Sequence, residues 1–158
     1  MIASTSHLTL FRVKQSRMIL ARALVSIVLA GFIVPNAAKA DVIADRKTNF
    51  KASAASMKAI AAAISGGDTA TVIQRANSIA AWAQQIPAHF PKGSDQGDTK
   101  ARAEIWLDFD KFIAAATTNK NAALMLVESA ESGDPGAMMA GLKNLGASCK
   151  ACHSAFKE

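Results

Sequence analysis

Residue types on which many folds and sites depend are scarce in this sequence. It contains no tyrosine, two cysteines and three histidines. Two cysteines in an exported protein would ordinarily form one disulfide. No segment shows the β-branched alternation of a strand, which argues against a β-rich fold. At 158 residues, the chain has room for one domain and an N-terminal extension, but not for two cores.

Acidic residues are absent from the first 40 positions, which carry five basic residues. The whole chain has 18 basic and 12 acidic side chains, so residues 41–158 have a net charge of only +1. A nearly neutral segment with scattered charges has no basic stripe that could neutralise a row of phosphates. The overall net charge of +6 therefore does not indicate a nucleic-acid-binding protein, and we exclude nucleic acid as a partner.

The basic N-terminal segment has the features of a secretory signal peptide. Arg17 and Arg22 form a positively charged region, and residues 23–34 (ALVSIVLAGFIV) are a continuous apolar run that ends at Pro35. This run is shorter than the roughly 20 apolar residues that a membrane span needs. We therefore expect export to the periplasm and no membrane span in the mature protein. A retained membrane anchor is the alternative.

Small residues at Ala38 and Ala40 mark the expected cleavage site of this signal peptide. Cleavage after Ala40 divides the chain into a signal peptide, residues 1–40, and a mature domain, residues 41–158. Met18 is an alternative start of the chain, and it leaves this prediction unchanged because the apolar run and the cleavage site both follow it.

The mature domain contains four segments with the periodicity of amphipathic helices. Stop and start signals separate them at Gly66-Gly67 and at Gly133-Asp134-Pro135, and Pro87 ends the second. Residues 117–119 (Thr-Thr-Asn) predict a kink or break within the third. The expected helices cover about 41–64, 69–86, 101–132 and 135–156. Four such helices with short connections predict an all-α fold, an antiparallel four-helix bundle.

The core of this bundle is expected to be thin. Alanine accounts for 27 of the 118 residues from 41 to 158, and tyrosine is absent. Each alanine contributes about one methyl group of buried apolar area. The bundle should therefore be loosely packed or filled by a group that is not protein, and a heme would supply the missing apolar volume.

The two cysteines lie in the sequence Cys149-Lys-Ala-Cys152-His153, which matches the C-x-x-C-H pattern of covalent heme attachment. Two thiols on one helical turn can add to the two vinyl groups at one edge of a porphyrin. The histidine beside the second thiol then ligates the iron as its proximal ligand. The pattern predicts one covalent heme c, bound through Cys149 and Cys152, with His153 as the axial ligand.

Three other interpretations of these residues compete with heme attachment. A thioredoxin-like pair lies at a helix N-terminus that follows a strand, whereas this pair lies near the end of the last predicted helix. A structural zinc site needs four ligands, and only His7 and His89 remain, of which His7 leaves with the signal peptide. A plain disulfide leaves His153 unexplained. Heme attachment is therefore favoured.

The mature chain resembles the cytochrome c-prime family, four-helix-bundle c-type cytochromes with the heme motif near the C-terminus. The resemblance covers nearly the whole mature length, and the heme motif is its most specific part. The matching segments are VIADRKTNF, HFPKGSD with a later glycine, IW with a phenylalanine at Phe112, and CKACHSAF. The resemblance implies a periplasmic heme protein, often a homodimer formed through its first two helices, that transfers electrons or binds nitric oxide.

The resemblance also assigns the residue on the other face of the iron. In this family it lies one turn after the arginine of the first helix, here four residues after Arg46, which places Phe50 there. Phenylalanine cannot ligate iron, so the resemblance implies a high-spin, five-coordinate heme with an apolar distal face. Met57, seven residues further along the helix, would instead give a low-spin His/Met electron carrier if the register differed, although core packing explains it better.

Charged residues near the motif are given further roles by the resemblance. Arg46 and Lys47 match positions near the heme propionates, although a solvated helix face explains them equally well. Lys157 aligns with a position that is commonly arginine, and lysine lacks the planar fork of arginine. Trp82 and Trp106 are interpreted as packing residues.

Two functions of different classes remain open. A redox carrier needs a reversible Fe(III)/Fe(II) couple and a redox partner protein. A gas-binding module needs an open iron face that admits nitric oxide or carbon monoxide, which Phe50 favours. An enzyme is the weakest interpretation, because no paired carboxylates or activated nucleophile accompany the motif.

Overall fold

The computed structural model describes residues 36–158, so the predicted signal peptide lies almost entirely outside the described residues. The described part is helical and contains no β-strand. One isolated β-bridge pairs Ala101 with Lys157. The helices are α1 (Asn36–Gly66), α2 (Thr69–Gln85), the short α3 (Glu104–Leu107), α4 (Phe109–Glu131) and α5 (Pro135–Phe156), and a 3₁₀ turn, Ile86–His89, follows α2. None of these helices is long and apolar enough to cross a membrane.

Glycine and aspartate separate the helices at the positions that the sequence indicates. Gly67 and Gly133 adopt positive φ angles of 72° and 71°, a conformation that glycine takes without steric cost. Asp68 caps α2 by accepting a hydrogen bond from the Thr71 backbone N–H, and Asp134 caps α5 in the same way from Gly136. These caps satisfy backbone N–H groups at the N-termini of α2 and α5, which would otherwise lack a partner within the helix.

The predicted break at residues 117–119 is wrong. Helix α4 continues through them, because buried Asn119 finds partners across the bundle on α5, while the Thr118 hydroxyl is satisfied within the helix by the Ala114 carbonyl. The chain breaks earlier, at Asp108, whose carboxylate accepts from the Lys111 N–H and caps α4. The third predicted helix is therefore two helices, α3 and α4, and it starts at Glu104 rather than at Ala101.

The long helices form a four-helix bundle in which α4 packs against α2 and α5, and α1 packs against the same two helices. Buried side chains form two clusters. The first lies among α1, α2, α4 and α5 and contains five alanines, in agreement with the thin core that was expected. The second is richer in rings, since it contains Trp82, Phe90, Phe112 and Phe156. Two of the predicted site residues, Phe50 and Cys152, pack against this second cluster.

Candidate heme site

A cleft of about 290 Å³ opens between α1, the loop that follows the 3₁₀ turn, and the last turns of α5. Its walls are largely apolar, which suits a flat, apolar cofactor. Cys152 and His153 lie in it on α5, and Phe50 lies in it on α1. The other apolar lining residues are Phe90, Ala101, Ile105, Phe112 and Phe156.

Both cysteines are unpaired and partly buried, although they are close in sequence. Burial raises the pKa of the Cys149 thiol, against the opposing effect of hydrogen bonds with Asn119 and Ser148. Burial also raises the pKa of the Cys152 thiol, and the neighbouring Cys149 adds to this. A redox pair of the thioredoxin kind needs a lowered thiol pKa. The environment of these thiols therefore opposes the thioredoxin interpretation.

Asn119 contacts the first cysteine from the facing helix α4. Its side-chain amide donates to Ser148 Oγ at 2.9 Å and to Cys149 Sγ at 3.3 Å. Cys149 does not line the cleft that contains Cys152. The sequence marks Asn119 only as a helix-weakening residue. Its contact with Cys149 joins two helices, and spacing along the chain does not predict such a contact.

His153 lies in the last turn of α5 and faces the cleft. Burial lowers the pKa of its imidazole, and the charge of Lys157 lowers it further. The neutral imidazole is the form that ligates a metal. The ring of Phe50 on α1 contacts that of His153 edge to face, with the centroids 6.2 Å apart and the planes at 69°. The structure thus brings together the two residues that were assigned to opposite faces of the iron.

Arg46 lines the cleft, and its guanidinium is hydrogen-bonded to the adjacent loop. It is 2% exposed, and its two terminal nitrogens donate to the carbonyls of His89 and Ser94 and to the hydroxyls of Ser94 and Thr99. Its guanidinium also lies 4.3 Å from the centre of the Phe90 ring, a cation–π distance. These acceptors are all uncharged, so a buried positive charge stands beside the cleft.

Other sequence-predicted residues lie around or away from the cleft. Lys47 is exposed at the rim and pairs with Asp98, while Lys157 also lines the opening. Met57 packs against the first core cluster and is absent from the cleft lining, as expected for a core residue. Trp106 donates its indole N–H to the carbonyls of Phe90 and Pro91, which is a packing role in the loop.

The donor set fits a covalent heme better than a bare metal ion. Two free thiols, a neutral imidazole, apolar walls and a buried cation beside the cleft match the vinyl groups, iron, ring and propionates of a heme. Among residues 36–158 no group of three or more histidine, cysteine or acidic side chains could hold a metal ion by itself. The fold and the site define the class of four-helix-bundle c-type heme proteins.

Comparison with known proteins agrees with this class. The family model described as Cytochrome C' matches residues 41–157. The chain therefore belongs to the cytochrome c' family, and its cofactor is one covalent heme c. The cytochrome c' of Pararhodospirillum photometricum is 38% identical over 116 residues, which cover 72% of this chain and 93% of that protein.

A second relative and two solved structures lead to the same family. The cytochrome c' of Rhodospirillum rubrum is 45% identical over 83 residues, which cover 52% of this chain and 56% of that relative. The cytochrome c prime of Shewanella frigidimarina has a TM-score of 0.68 at 33% identity and covers 76% of this chain and 96% of its own. A cytochrome c' with ligand-controlled dimer dissociation scores 0.69 at 28% identity, covering 75% and 95%.

Proposed function

We propose that this protein is a periplasmic monoheme cytochrome in which Cys149 and Cys152 form the thioethers and His153 is the axial ligand. Phe50 covers the opposite face, so the iron remains five-coordinate. The observation that supports the proposal is that His153 on α5 and Phe50 on α1 line one cleft, with their ring centroids 6.2 Å apart. Phe50 offers no ligating atom, and Met57 packs in the other core cluster.

The side chains around the heme have separate tasks. The heme supplies a one-electron Fe(III)/Fe(II) couple and a binding position for a small ligand. His153 holds the metal through a neutral imidazole, which its partly buried position favours. Phe50, Phe90, Phe112 and Phe156 exclude water from the ring. Arg46 supplies a positive charge beside the cleft, toward which the propionates would be attracted.

Electron transfer and gas binding both use this arrangement. For electron transfer, the lysines at the cleft opening suit an acidic redox partner protein. For gas binding, the apolar distal face admits a small neutral molecule such as nitric oxide or carbon monoxide. A nitric oxide complex is known for a variant cytochrome c prime from Alcaligenes xylosoxidans, 25% identical with a TM-score of 0.67 over 76% of this chain and 96% of its own. We assign no catalytic residue.

The proposal also includes export of the protein by a signal peptide and its assembly into a homodimer. Heme attachment through thioethers takes place outside the cytoplasm, which accords with a signal peptide at residues 1–40 and a mature domain at residues 41–158. We infer a homodimer that uses α1 and α2, by analogy with the dimer named for the structural relative. Sedimentation of the mature heme-loaded protein, with and without carbon monoxide, tests the dimer.

The coordination state is tested by spectroscopy of the heme-loaded protein. A pyridine hemochrome assay should give one heme per chain, and the ferrous spectrum should be that of a high-spin, five-coordinate heme. Phe50→Met should convert it to a low-spin spectrum, because a thioether sulfur then faces the iron. Met57→Leu is the control and should leave the spectrum unchanged. Low-spin sulfur-ligand bands in the unmutated protein that disappear in Met57→Leu would overturn the proposal.

A further inference from the structure

Trp82 is a buried aromatic residue that stands next to Phe50 but outside the cleft. It lies on α2 and is 7% exposed. Its ring centroid is 5.3 Å from that of Phe50, with the planes at 85°, and 4.8 Å from that of His89, with the planes at 69°. Both are edge-to-face contacts of the kind that aromatic pairs prefer.

Hydrogen bonding does not explain why this indole is buried. Trp82 Nε1 has no hydrogen-bond partner among the described residues, whereas Nε1 of Trp106 has two acceptors. A buried N–H without an acceptor destabilises a folded protein. Among the described residues, the contacts that place Trp82 are therefore those of its ring, which packs on Phe50 and His89.

Phe50 packs against the second core cluster, and Trp82 is the member of that cluster whose ring contacts its ring. It is only partly buried, and the two rings that contact it are those of Trp82 and His153. In the proposed function, His153 and Phe50 lie on opposite faces of the heme. Trp82 on α2 is then the aromatic neighbour of Phe50 that is not itself assigned to the iron.

We propose that Trp82 is a positioning residue that holds Phe50 over the distal face of the heme and so limits how fast a diatomic ligand reaches the iron. The inference rests on the proposed function, because it requires an open iron face beneath Phe50. An aromatic pair changes an equilibrium roughly 2- to 12-fold. Removing the ring of Trp82 should allow Phe50 to move aside more often by a comparable factor.

The test measures carbon monoxide association with the ferrous heme-loaded protein after flash photolysis. Trp82→Leu, which keeps an apolar side chain but removes the ring, should raise the association rate roughly tenfold. Trp82→Phe keeps a ring and removes only the unpaired N–H, so its rate should stay within about twofold of the unmutated protein. Phe109→Leu, which removes a partly exposed ring that lies outside the cleft and contacts neither Phe50 nor Trp82, is the control, and its rate should not change.

A double-mutant cycle separates positioning from a general loosening of the bundle. If Trp82 acts through Phe50, Trp82→Leu should have no further effect on the rate in a Phe50→Ala background. An equal increase in both backgrounds would overturn the inference, as would an unchanged rate in Trp82→Leu alone. A protein without heme, or with a six-coordinate ferrous spectrum, would instead contradict the proposed function, so the two failures are distinguishable.

Discussion

Arg46 places a positive charge in a nearly dry part of the protein, beside the cleft and beneath the loop that borders it. Burial lowers the pKa of its guanidinium, although not enough to matter at neutral pH, since arginine remains charged in proteins. The charge is stabilised by four hydrogen bonds to neutral oxygens and by the Phe90 ring. Arg46 thus couples α1 to the loop that forms one wall of the cleft.

Substituting Arg46→Gln should destabilise the heme-loaded protein strongly. The shorter amide cannot reach both Ser94 and Thr99, so buried acceptors lose their donors, and hydrogen bonds from a charged donor are worth about 1.5–3 kcal/mol each. We expect the free energy of unfolding, measured with urea, to fall by about 3 kcal/mol. Arg75→Gln on the exposed face of α2 is the control and should change it by less than about 0.5 kcal/mol. Equal effects would contradict this role for Arg46.

Asp68 makes the stability of the protein depend on pH at the start of α2. Hydrogen bonds from the Thr71 hydroxyl and backbone lower the pKa of its carboxyl group. The ionised form is therefore the one that stabilises the fold. This contribution is complete above the ordinary pKa of aspartate and is lost as the pH falls through the lowered folded-state pKa.

The variant Asp68→Asn tests this pH dependence. Its melting temperature should lie below that of the unmutated protein at neutral pH, and the difference should shrink as the pH falls to about 3. Asp110→Asn, in the first turn of α4, is the comparison for loss of a charge without a cap. A difference that persists unchanged into acid would show that the charge of Asp68 does not contribute.

At the scale of the helices, the sequence predicted those helix ends that depend on a few adjacent residues. Gly66-Gly67 and Gly133-Asp134-Pro135 separate helices where expected, because positive φ and N-capping are properties of a few adjacent residues. The break at Asp108 is also marked locally, because aspartate is a favoured N-capping residue. The continuity of α4 was not predictable, because Asn119 is stabilised by Ser148 and Cys149 on another helix.

The residues of the candidate site also fall into two groups: those that a contiguous motif predicts, and those that only contacts between distant segments reveal. Cys149, Cys152 and His153 could be predicted because the motif is contiguous, and Phe50 was assigned by resemblance. The loop-holding role of Arg46 and the support of Phe50 by Trp82 were missed, since both join segments more than 30 positions apart. Spacing along a chain carries no information about such contacts when only one sequence is read.

Helices α4 and α5 approach each other closely at Gly141. A methyl group there would lie 3.1 Å from Leu126 Cδ1 and 3.3 Å from Leu126 Cα, and a backbone atom cannot rotate away. Gly141→Ala should therefore destabilise the protein by about 1–3 kcal/mol, although alanine is the better helix former. Urea unfolding of the heme-loaded protein measures the change.

Gly146 on the same helix supplies a matched control. An added methyl group there would meet only the terminal methyl of Met57 at 3.7 Å, an ordinary contact with a flexible side chain. Gly146→Ala should therefore stabilise the protein by about 0.5–1 kcal/mol through helix propensity alone. If Gly141→Ala also stabilised the protein, helix propensity and not the close approach of α4 to α5 would determine the effect of these substitutions in α5.

At the scale of the whole molecule, the net charge of only +1 on residues 41–158 conceals an uneven distribution of charge. Lys47, Lys51, Lys100 and Lys157 line the cleft, and Lys150 lies beside His153 on the outer side of α5. Asp98 is the acidic residue in the cleft lining, and it pairs with Lys47. Such a cluster is invisible in a sum over residues 41–158, because it forms only when α1, the loop and α5 come together.

Lysines around the cleft should direct an acidic redox protein to this end of the bundle. Lys51→Glu should lower the second-order rate of reduction by such a partner roughly three- to tenfold at low ionic strength. Lys58→Glu makes the same charge change two turns along α1, away from the cleft, and should have a much smaller effect. Stopped-flow measurements should show the difference vanish near 0.5 M salt, where charges are screened within about 4 Å. Equal slowing by both variants would mean that net charge, and not the lysines at the cleft, governs the encounter.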